Sequence, residues 1–419
     1  MSRLPFNSLA YALLQAARID AAVFAGQSLA DGLLGRVDPT ARPAVQDLVY
    51  GSLRAYGRGD FFLSRLLDRP LAVDEVRALL LVAIYRIETR PEAVHTVVDQ
   101  AVFAAGEVVG GKFRGLVNGV LRNFLRQQEA LSAAVAADPA ASTQHPEWWL
   151  AQLQAAYPLA WQDIVAAGNM PPPMGLRVNL RQTTRDDYLA RLVAAGIAAK
   201  PVGQCALALA RPVAVESLPD FAQGAASVQD PGAQVAAELL DPAPGSRVLD
   251  ACAAPGGKTA HLLERADLDL LALDLKAARC RRIEENLARL QLRATVKVAD
   301  CAKLNQWWDG QPFDAVLADV PCTASGVVRR NPDAKWLRRV EDIASFATAQ
   351  ARILDALWQV VRPGGKLLYA TCSVFPAENG EQISRFMERQ PQALRCKEEQ
   401  LLPGADHDGF FYCLLEKRA

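Results

Sequence analysis

Two thiols stand where a chain of this kind could do chemistry. Cys322 closes the stretch Asp319-Val320-Pro321-Cys322 and Cys372 sits in Thr371-Cys372-Ser373; each follows an apolar run that reads as a strand, FDAVLAD (313–319) and GKLLYATC (365–372). A cleft thiolate is a nucleophile, and covalent addition splits one hard step into easier ones. Methylation at C5 of a pyrimidine needs this help. That carbon is too weak a nucleophile to attack a sulfonium methyl until a thiolate adds at C6 and makes C5 enamine-like. The C5 proton must then leave to a base and the thiolate must be eliminated, work that a second thiol or an aspartate can assist. Lys258, Arg329 and Arg330 are the candidates for positive charge favouring a thiolate. A single cysteine at a strand end is more often inert packing. Two at neighbouring strand ends, with polar neighbours, are harder to dismiss.

The stretch CAAPGGKT (252–259) ends in the Gly-Lys-Thr of a phosphate-binding loop, but Cys252 occupies the place of that loop's first glycine, five before Gly257. That glycine lets the backbone curl around a phosphate, so its absence disfavours a nucleotide hydrolase. A strict G-x-G-x-x-G is also missing. Instead a strand ends in Asp250, a helix starts near Lys258, and a second strand ends in Asp274. An acidic residue about 20 positions beyond a Gly-rich turn is placed to accept hydrogen bonds from ribose hydroxyls. A nucleoside cofactor that needs no phosphate satisfies both facts, and S-adenosylmethionine is such a molecule. Alone, Gly256-Gly257 also suits a plain strand-to-helix turn and Asp274 a helix cap; Cys322 and Cys372 at further strand ends decide between the readings.

These residues need a scaffold. The 419 residues suffice for two or three domains, and 46 Lys+Arg against 46 Asp+Glu give no global basic excess. Eight cysteines (205, 252, 280, 301, 322, 372, 396 and 413) show no CxxC pair, and His95, His145, His261 and His407 form no constellation. Reduced thiols, no metal and a cytoplasmic location are expected. The first residues have no long apolar core or cleavage site, and no apolar run reaches membrane-spanning length.

From residue 5 to about 128 the apolar spacing is helical: Val45, Leu48, Val49 and Leu53 on one face; Val76, Leu79, Leu80, Ala83 and Ile84 on another; Phe113, Leu116, Val117, Val120, Leu121, Phe124 and Leu125 on a third. Residues 129–145 read as a linker. Trp148 and Trp149 open a helical stretch, as packing residues rather than base-stacking ones, that ends before Asn169-Met170-Pro171-Pro172-Pro173. MGLRVNL (174–180) and ALALARPVAV (206–215) read as strands around a helix at 188–195. Strands at 246–251, 270–275, 294–299, 313–319 and 365–372 then alternate with helices at 277–290 and about 343–361, which implies a parallel sheet wound on both faces. The stretches 386–396 and 410–417 are candidates for an edge strand.

The chain resembles the RNA cytosine-C5 methyltransferases, and among them the bacterial Sun/Fmu (RsmB-type) family that modifies 16S ribosomal RNA. The matching pieces are SVQDPGAQ (227–234), LDACAAPGGKT (249–259), ALDL with Asp274, VADC with Asp300, LADVPCTASGVVRRNPDAKW (317–336), YATCSVFPAENGEQI (369–383) and DGFFY (408–412). The resemblance implies a cofactor loop of Cys252, Ala253, Ala254, Pro255, Gly256, Gly257 and Lys258, with Asp274 at the ribose, Asp300 on the adenine side, and Asp319 bordering methyl donor and target base. It implies Cys372 as nucleophile, Cys322 as the thiol assisting product release, and cytosine 967 as the usual target. The N-terminal part resembles the NusB-like RNA-binding fold through VQDLVYGSLR (45–54), LLLVAIYRIE (79–88), VVDQAV (97–102) and FRGLVNGVLRNFLR (113–126). The expected architecture is therefore a NusB-like all-α domain (1–135), a small α+β RNA-recognition subdomain (146–235) and a Rossmann-like methyltransferase domain (236–419).

RNA contact is expected at Arg329, Arg330, Lys335 and Trp336 beside the base pocket, and at Arg114 and Arg122, with Arg54, Arg58, Lys112 and Arg126 in the same basic group. The expected partner is 16S rRNA, free or in a partly assembled subunit, with the chain a monomer away from membranes. Rival readings are methylation of transfer RNA or another ribosomal site, and a non-catalytic NusB-like RNA-binding or antitermination protein, for which the pair Cys322 and Cys372 would be unnecessary.

Overall fold

Apolar residues at three- and four-residue spacing are buried together only on helix faces. In the computed structural model, which describes residues 4–418, they lie on helices Leu9–Phe24, Arg42–Arg54, Tyr56–Leu66, Asp74–Thr89, Val94–Ala105 and Arg114–Ala134. The expected domain ends at Met1 and Ala419 fall outside the described residues. The first two expected faces are buried throughout. On the third, Val117, Val120, Leu121 and Phe124 are buried, Phe113 and Leu125 half-buried and Leu116 exposed, so the buried stripe is narrower than the sequence suggests.

The expected linker is mostly helix. Residues 129–134 finish the helix Arg114–Ala134, and Asp138 caps Pro139–Thr143 by accepting from the Ala141 amide at 2.8 Å. Alanine is the best helix former, and Asp before Pro is a strong start signal, so the small-residue composition disguises helix as linker. Two helices follow rather than one, Glu147–Ala156 and Trp161–Asn169. Trp149 is buried and its ring packs against Trp148.

This helical unit reaches Met170 and takes in a remote piece of chain, Val328–Arg339. Asp333 Oδ2 accepts from the Ser28 hydroxyl at 2.9 Å and the Leu29 amide at 3.0 Å; Trp336 donates its indole N–H to the Leu53 carbonyl at 2.7 Å.

The second unit comprises Pro171–Val327 and Val340–Ala419. Strands β1 (Gly175–Val178), β2 (Ala199–Pro201), β3 (Ala206–Leu209) and β4 (Ala226–Val228) form an antiparallel sheet in the order β2-β3-β1-β4. Helix Arg185–Ala194 packs on it through Tyr188 and Leu192. The strand expected over 206–215 stops at Leu209.

A seven-stranded sheet follows, of β5 (Arg247–Asp250), β6 (Asp269–Asp274), β7 (Thr295–Val298), β8 (Phe313–Asp319), β9 (Val361–Thr371), β10 (Ala393–Leu401) and β11 (Phe410–Lys417), ordered β10-β11-β9-β8-β5-β6-β7. β5 to β9 are parallel, and β10 and β11 run antiparallel beyond β9. The edge strand is β10; the FFYCLLEK strand, β11, lies inside the sheet, and residue 386 belongs to helix Gly380–Arg389. Helices Gly257–Arg265, Ala277–Leu290 and Val340–Val360 cover the sheet, leaving an apolar core on each face. The strand order reverses between β5 and β8, where a ligand crevice forms at the carboxyl ends of such sheets. Among the described residues no helix is long and apolar enough to cross a membrane.

Candidate active site

The ends of β5, β6, β8 and β9 bring together the residues singled out in the sequence. β5 ends at Asp250, which is fully buried, accepts the Thr259 hydroxyl at 2.6 Å on one oxygen and has no partner for the other. Burial pushes its carboxyl up to about 7. The loop 251–256 then turns into helix Gly257–Arg265. Gly256 sits at φ +96°, where a Cβ would lie 3.1 Å from Ile283 Cα, so the loop lies tight on helix Ala277–Leu290.

Side chains hold this loop by its carbonyls. Arg279 donates to the Ala254 carbonyl at 2.9 Å, Asn286 to that of Pro255 at 2.8 Å and Arg177 to that of Gly257 at 2.7 Å. Asp274, at the end of β6, accepts from the Ala254 amide at 3.3 Å and the Lys276 amide at 3.1 Å, and stands 3.4 Å from Arg279. Asp300, half-buried just beyond β7, accepts from the Ala302 amide at 3.0 Å. Next to it, Cys301 Sγ lies 3.8 Å from Cys252 Sγ.

Lys258 makes an ion pair of 2.6 Å with Asp319 at the end of β8. Burial pulls its ammonium down, but Asp319, with Cys372 and Asp250 beyond it, more than offsets this and the net displacement is upward. Lys258 is engaged by a carboxylate, and Arg177 and Arg279 by carbonyls.

Cys322 and Cys372 approach to 3.3 Å between sulfurs, because Asp319 of β8 pairs with Ala370 of β9 and each cysteine follows within three residues. They are not equivalent. Cys322 is buried and Cys372 half-buried. The contact with Cys372 and its own burial push the Cys322 thiol well up, which keeps it protonated. By contrast Cys205 and Cys413 are buried packing thiols, pushed by burial up to about 11 and about 12.

The family-like motifs converge on the same region. Gly409 of DGFFY donates its amide to the Gly326 carbonyl at 2.8 Å, and a Cβ on Gly326 would lie 2.3 Å from the Gly409 oxygen, so the two backbones cross where only glycine fits. Asp408 donates its amide to Asp230 of SVQDPGAQ at 3.2 Å.

Two residues missed in the sequence hold this site. Arg177, buried within β1, forms a two-bond pair with buried Glu264 at 2.7 and 2.8 Å while bonding the Gly257 carbonyl. Its signal was a charged residue inside the apolar strand GLRV. Glu378, also buried, accepts from the amide and hydroxyl of Thr323, from Ser373 and from Gln350. Its signal was an acidic residue six places after Cys372 within a motif already singled out.

The basic segment after Cys322 departs from expectation. Lys335 is fully buried in the helical unit and donates to Asn169 at 3.0 Å; burial, with the Arg54 charge, pulls it down to about 7. Trp336 packs its ring 4.6 Å from Tyr56, and Arg329 is buried with its carbonyl accepting from Arg54 at 2.9 Å. Lys335 and Arg329 are therefore enclosed by protein, while Trp336 is half-buried with its indole N–H already bonded to Leu53. Arg330 is half-buried. Arg58 is engaged by Glu88 and Ser132. Arg114 and Arg122 are exposed on their helix, Arg122 donating to Asn118 at 3.0 Å.

Fold and site together define an RNA-modifying methyltransferase: residues 237–416 match the model described as 16S rRNA methyltransferase RsmB/F, residues 145–216 the ferredoxin-like domain of the RsmF/B-like methyltransferases, and residues 10–126 the NusB family. Ribosomal RNA small subunit methyltransferase B of Vibrio cholerae serotype O1 is 43% identical over 408 residues, covering 94% of each chain. The protein of the same name from Pseudomonas putida is 44% identical over 428 residues, covering 97% of this chain and 98% of its own. The chain belongs to the ribosomal RNA small subunit methyltransferase B family. The crystal structure of PH0851 shares the fold, with a TM-score of 0.83 at 22% identity and full coverage of both chains. A methyltransferase homolog from Pyrococcus horikoshii gives a TM-score of 0.59 at 27% identity, covering 67% of this chain and 98% of its own.

Proposed function

We propose that this protein methylates C5 of a cytosine in 16S rRNA, with S-adenosylmethionine as methyl donor and Cys372 as covalent nucleophile. The observation that carries the reading is the pair of thiols 3.3 Å apart at neighbouring strand ends, one half-buried and one enclosed. The name of the relatives supports the small ribosomal subunit over transfer RNA, and family resemblance supports cytosine 967.

The cofactor fits the side chains on chemical grounds. Asp274, Asp300 and Asp319 stand at the carboxyl ends of the strands around the Cys252–Lys258 loop, whose neighbouring cations are already engaged. Carboxylates suit ribose hydroxyls and a cationic ligand, and oppose a phosphate. Asp274 would hold the ribose, Asp300 the adenine side, and Asp319 the region of the reacting methyl. When bound, S-adenosylmethionine supplies an electrophilic methyl group.

Cys372 Sγ adds to C6 of the base, and the electron pair displaced onto C5 makes that carbon nucleophilic. After methylation the C5 proton leaves to a base, and expulsion of the Cys372 thiolate restores the ring. Cys322, held protonated beside it, gives the departing thiolate a hydrogen-bond donor. The target base must be exposed or turned out of its stack, because the thiolate approaches the face of C6. Exposed Arg114 and Arg122 are the phosphate contacts proposed for the helical unit.

The test incubates unmodified 16S RNA with methyl-labelled cofactor and compares wild type with Cys372→Ala and Cys322→Ala. Cys372→Ala should transfer nothing, and Cys322→Ala should accumulate a covalent protein–RNA adduct. Full activity in Cys372→Ala overturns the reading.

A further inference from the structure

We propose that Glu378 is a positioning residue that sets the separation of the two thiols, by tying the residue after Cys322 to the residue after Cys372. Its consequence for turnover rests on the reading of that pair as the catalytic thiols. The placement itself does not.

Glu378 is fully buried at the end of the turn Pro376–Glu378. One carboxylate oxygen accepts from the Thr323 amide at 2.9 Å and from Gln350 at 3.0 Å; the other accepts from the Thr323 hydroxyl at 2.5 Å and the Ser373 hydroxyl at 2.6 Å. Thr323 follows Cys322 and Ser373 follows Cys372. The carboxylate thus spans both strand-end loops one residue beyond each sulfur.

Burial pushes the Glu378 carboxyl up, and its four hydrogen bonds work against that. An enclosed carboxylate is costly unless its acceptor positions are filled, and these are. With every bond directed at protein donors and no exposed surface, it offers no lone pair to a substrate proton. Its place is to hold, not to react. The loops also meet directly, through the Gly326 amide to the Cys372 carbonyl at 2.8 Å, the Val374 amide to the Ser325 hydroxyl at 2.9 Å, Ser325 to Ser373 at 3.0 Å and Thr323 to Ser373 at 3.2 Å, and Glu378 closes on this last pair.

The test is the rate at which diamide oxidises Cys322 and Cys372 to a disulfide, read by peptide mapping in the full chain. The two thiols give up two hydrogens to the azo group, which becomes a hydrazine. Cys252 and Cys301, 3.8 Å apart in the same protein, serve as internal reference. In Glu378→Ala the Cys322–Cys372 rate should fall roughly tenfold relative to the reference pair, and kcat by about 10- to 100-fold, the penalty of a misplacement near 1 Å. Cofactor Kd and the KM for RNA should stay within about twofold. Glu378→Gln should stay within about threefold of wild type in both rates, because its amide oxygen still takes the Thr323 amide and the two hydroxyls can turn to accept.

An unchanged or faster disulfide in Glu378→Ala overturns the proposal, since it means the charge restrained the thiols and the contacts did not place them. Equal damage in Gln and Ala overturns it for the same reason. If Glu378→Ala does not fold, Glu378→Gln combined with Ser373→Ala carries the test; a slowed disulfide supports the proposal and an unchanged one overturns it. Slowed disulfide formation alongside methylation that survives Cys372→Ala would leave the positioning intact and sink the covalent mechanism. Normal disulfide formation with methylation abolished by Cys372→Ala would do the reverse.

Discussion

Lys258 Nζ and Asp319 Oδ2 stand 2.6 Å apart, in a pair where the side chains keep 14% and 30% of their exposure. The lysine that makes CAAPGGKT look like a phosphate loop is thus bound to an acid at the next strand end. Cys372 also contributes to holding its ammonium charged. Lys258→Met should slow alkylation of Cys372 by iodoacetamide near neutral pH and lower kcat by about 100- to 1,000-fold, the range of one lost transition-state contact. Thiol reactivity identical to wild type would remove the lysine from the chemistry.

Gly256 combines a left-handed backbone with a Cβ position 3.1 Å from Ile283 Cα. Backbone cannot yield as a flexible side chain does. Gly256→Ala should cost about 1–3 kcal/mol of stability, the usual range for strain at such a position, and should weaken S-adenosylmethionine binding more than RNA binding. Calorimetric titration of both ligands against the same preparation checks the split; equal losses would place the damage outside the loop.

The strands and the strand-end cysteines were legible because two periodicities were clean: alternation with short apolar runs in the sheet, and three-to-four spacing in the helices. From them the placing of Cys322 and Cys372 at neighbouring strand ends follows, while the β8–β9 register that brings their sulfurs together is a feature of the structure. Three things were not legible. Residues 129–145 look like linker because alanine is both small and the best helix former. Lys335 and Trp336 look like an RNA-facing pair because sequence shows charge and aromaticity but not partners, and theirs are Asn169 and Leu53, far along the chain. Glu378 escaped because its contacts are local to both thiols in space but split between two loops in sequence.

Arg177 and Glu264 are nearly solvent-free, with side chains at 0% and 3% exposure. Removing one partner leaves the other charge buried, which typically costs about 3–5 kcal/mol, more than the pair gains over water. Arg177→Met should therefore lower the melting temperature sharply, and Arg177→Met with Glu264→Leu should recover part of the loss. Because Arg177 also holds the Gly257 carbonyl, the double variant should regain stability without regaining cofactor affinity. Recovery of both together would show that the loop does not depend on that bond.

Burial, with the Arg54 charge, pulls the Lys335 ammonium down to about 7 from the ordinary 10.5 of a lysine. Between those two values the unfolded chain binds more protons than the folded one, so raising the pH through this window favours folding. Below about pH 7 the penalty is at its full size, a few kcal/mol at about 1.4 kcal/mol per unit of displacement. Lys335→Met keeps the volume and removes the charge, at the cost of the bond to Asn169. Its stability relative to wild type should be greatest at pH 6–7 and decline steadily toward pH 10, as measured by denaturant melts across that range. A difference that does not vary with pH would mean that the buried lysine keeps its ordinary proton affinity.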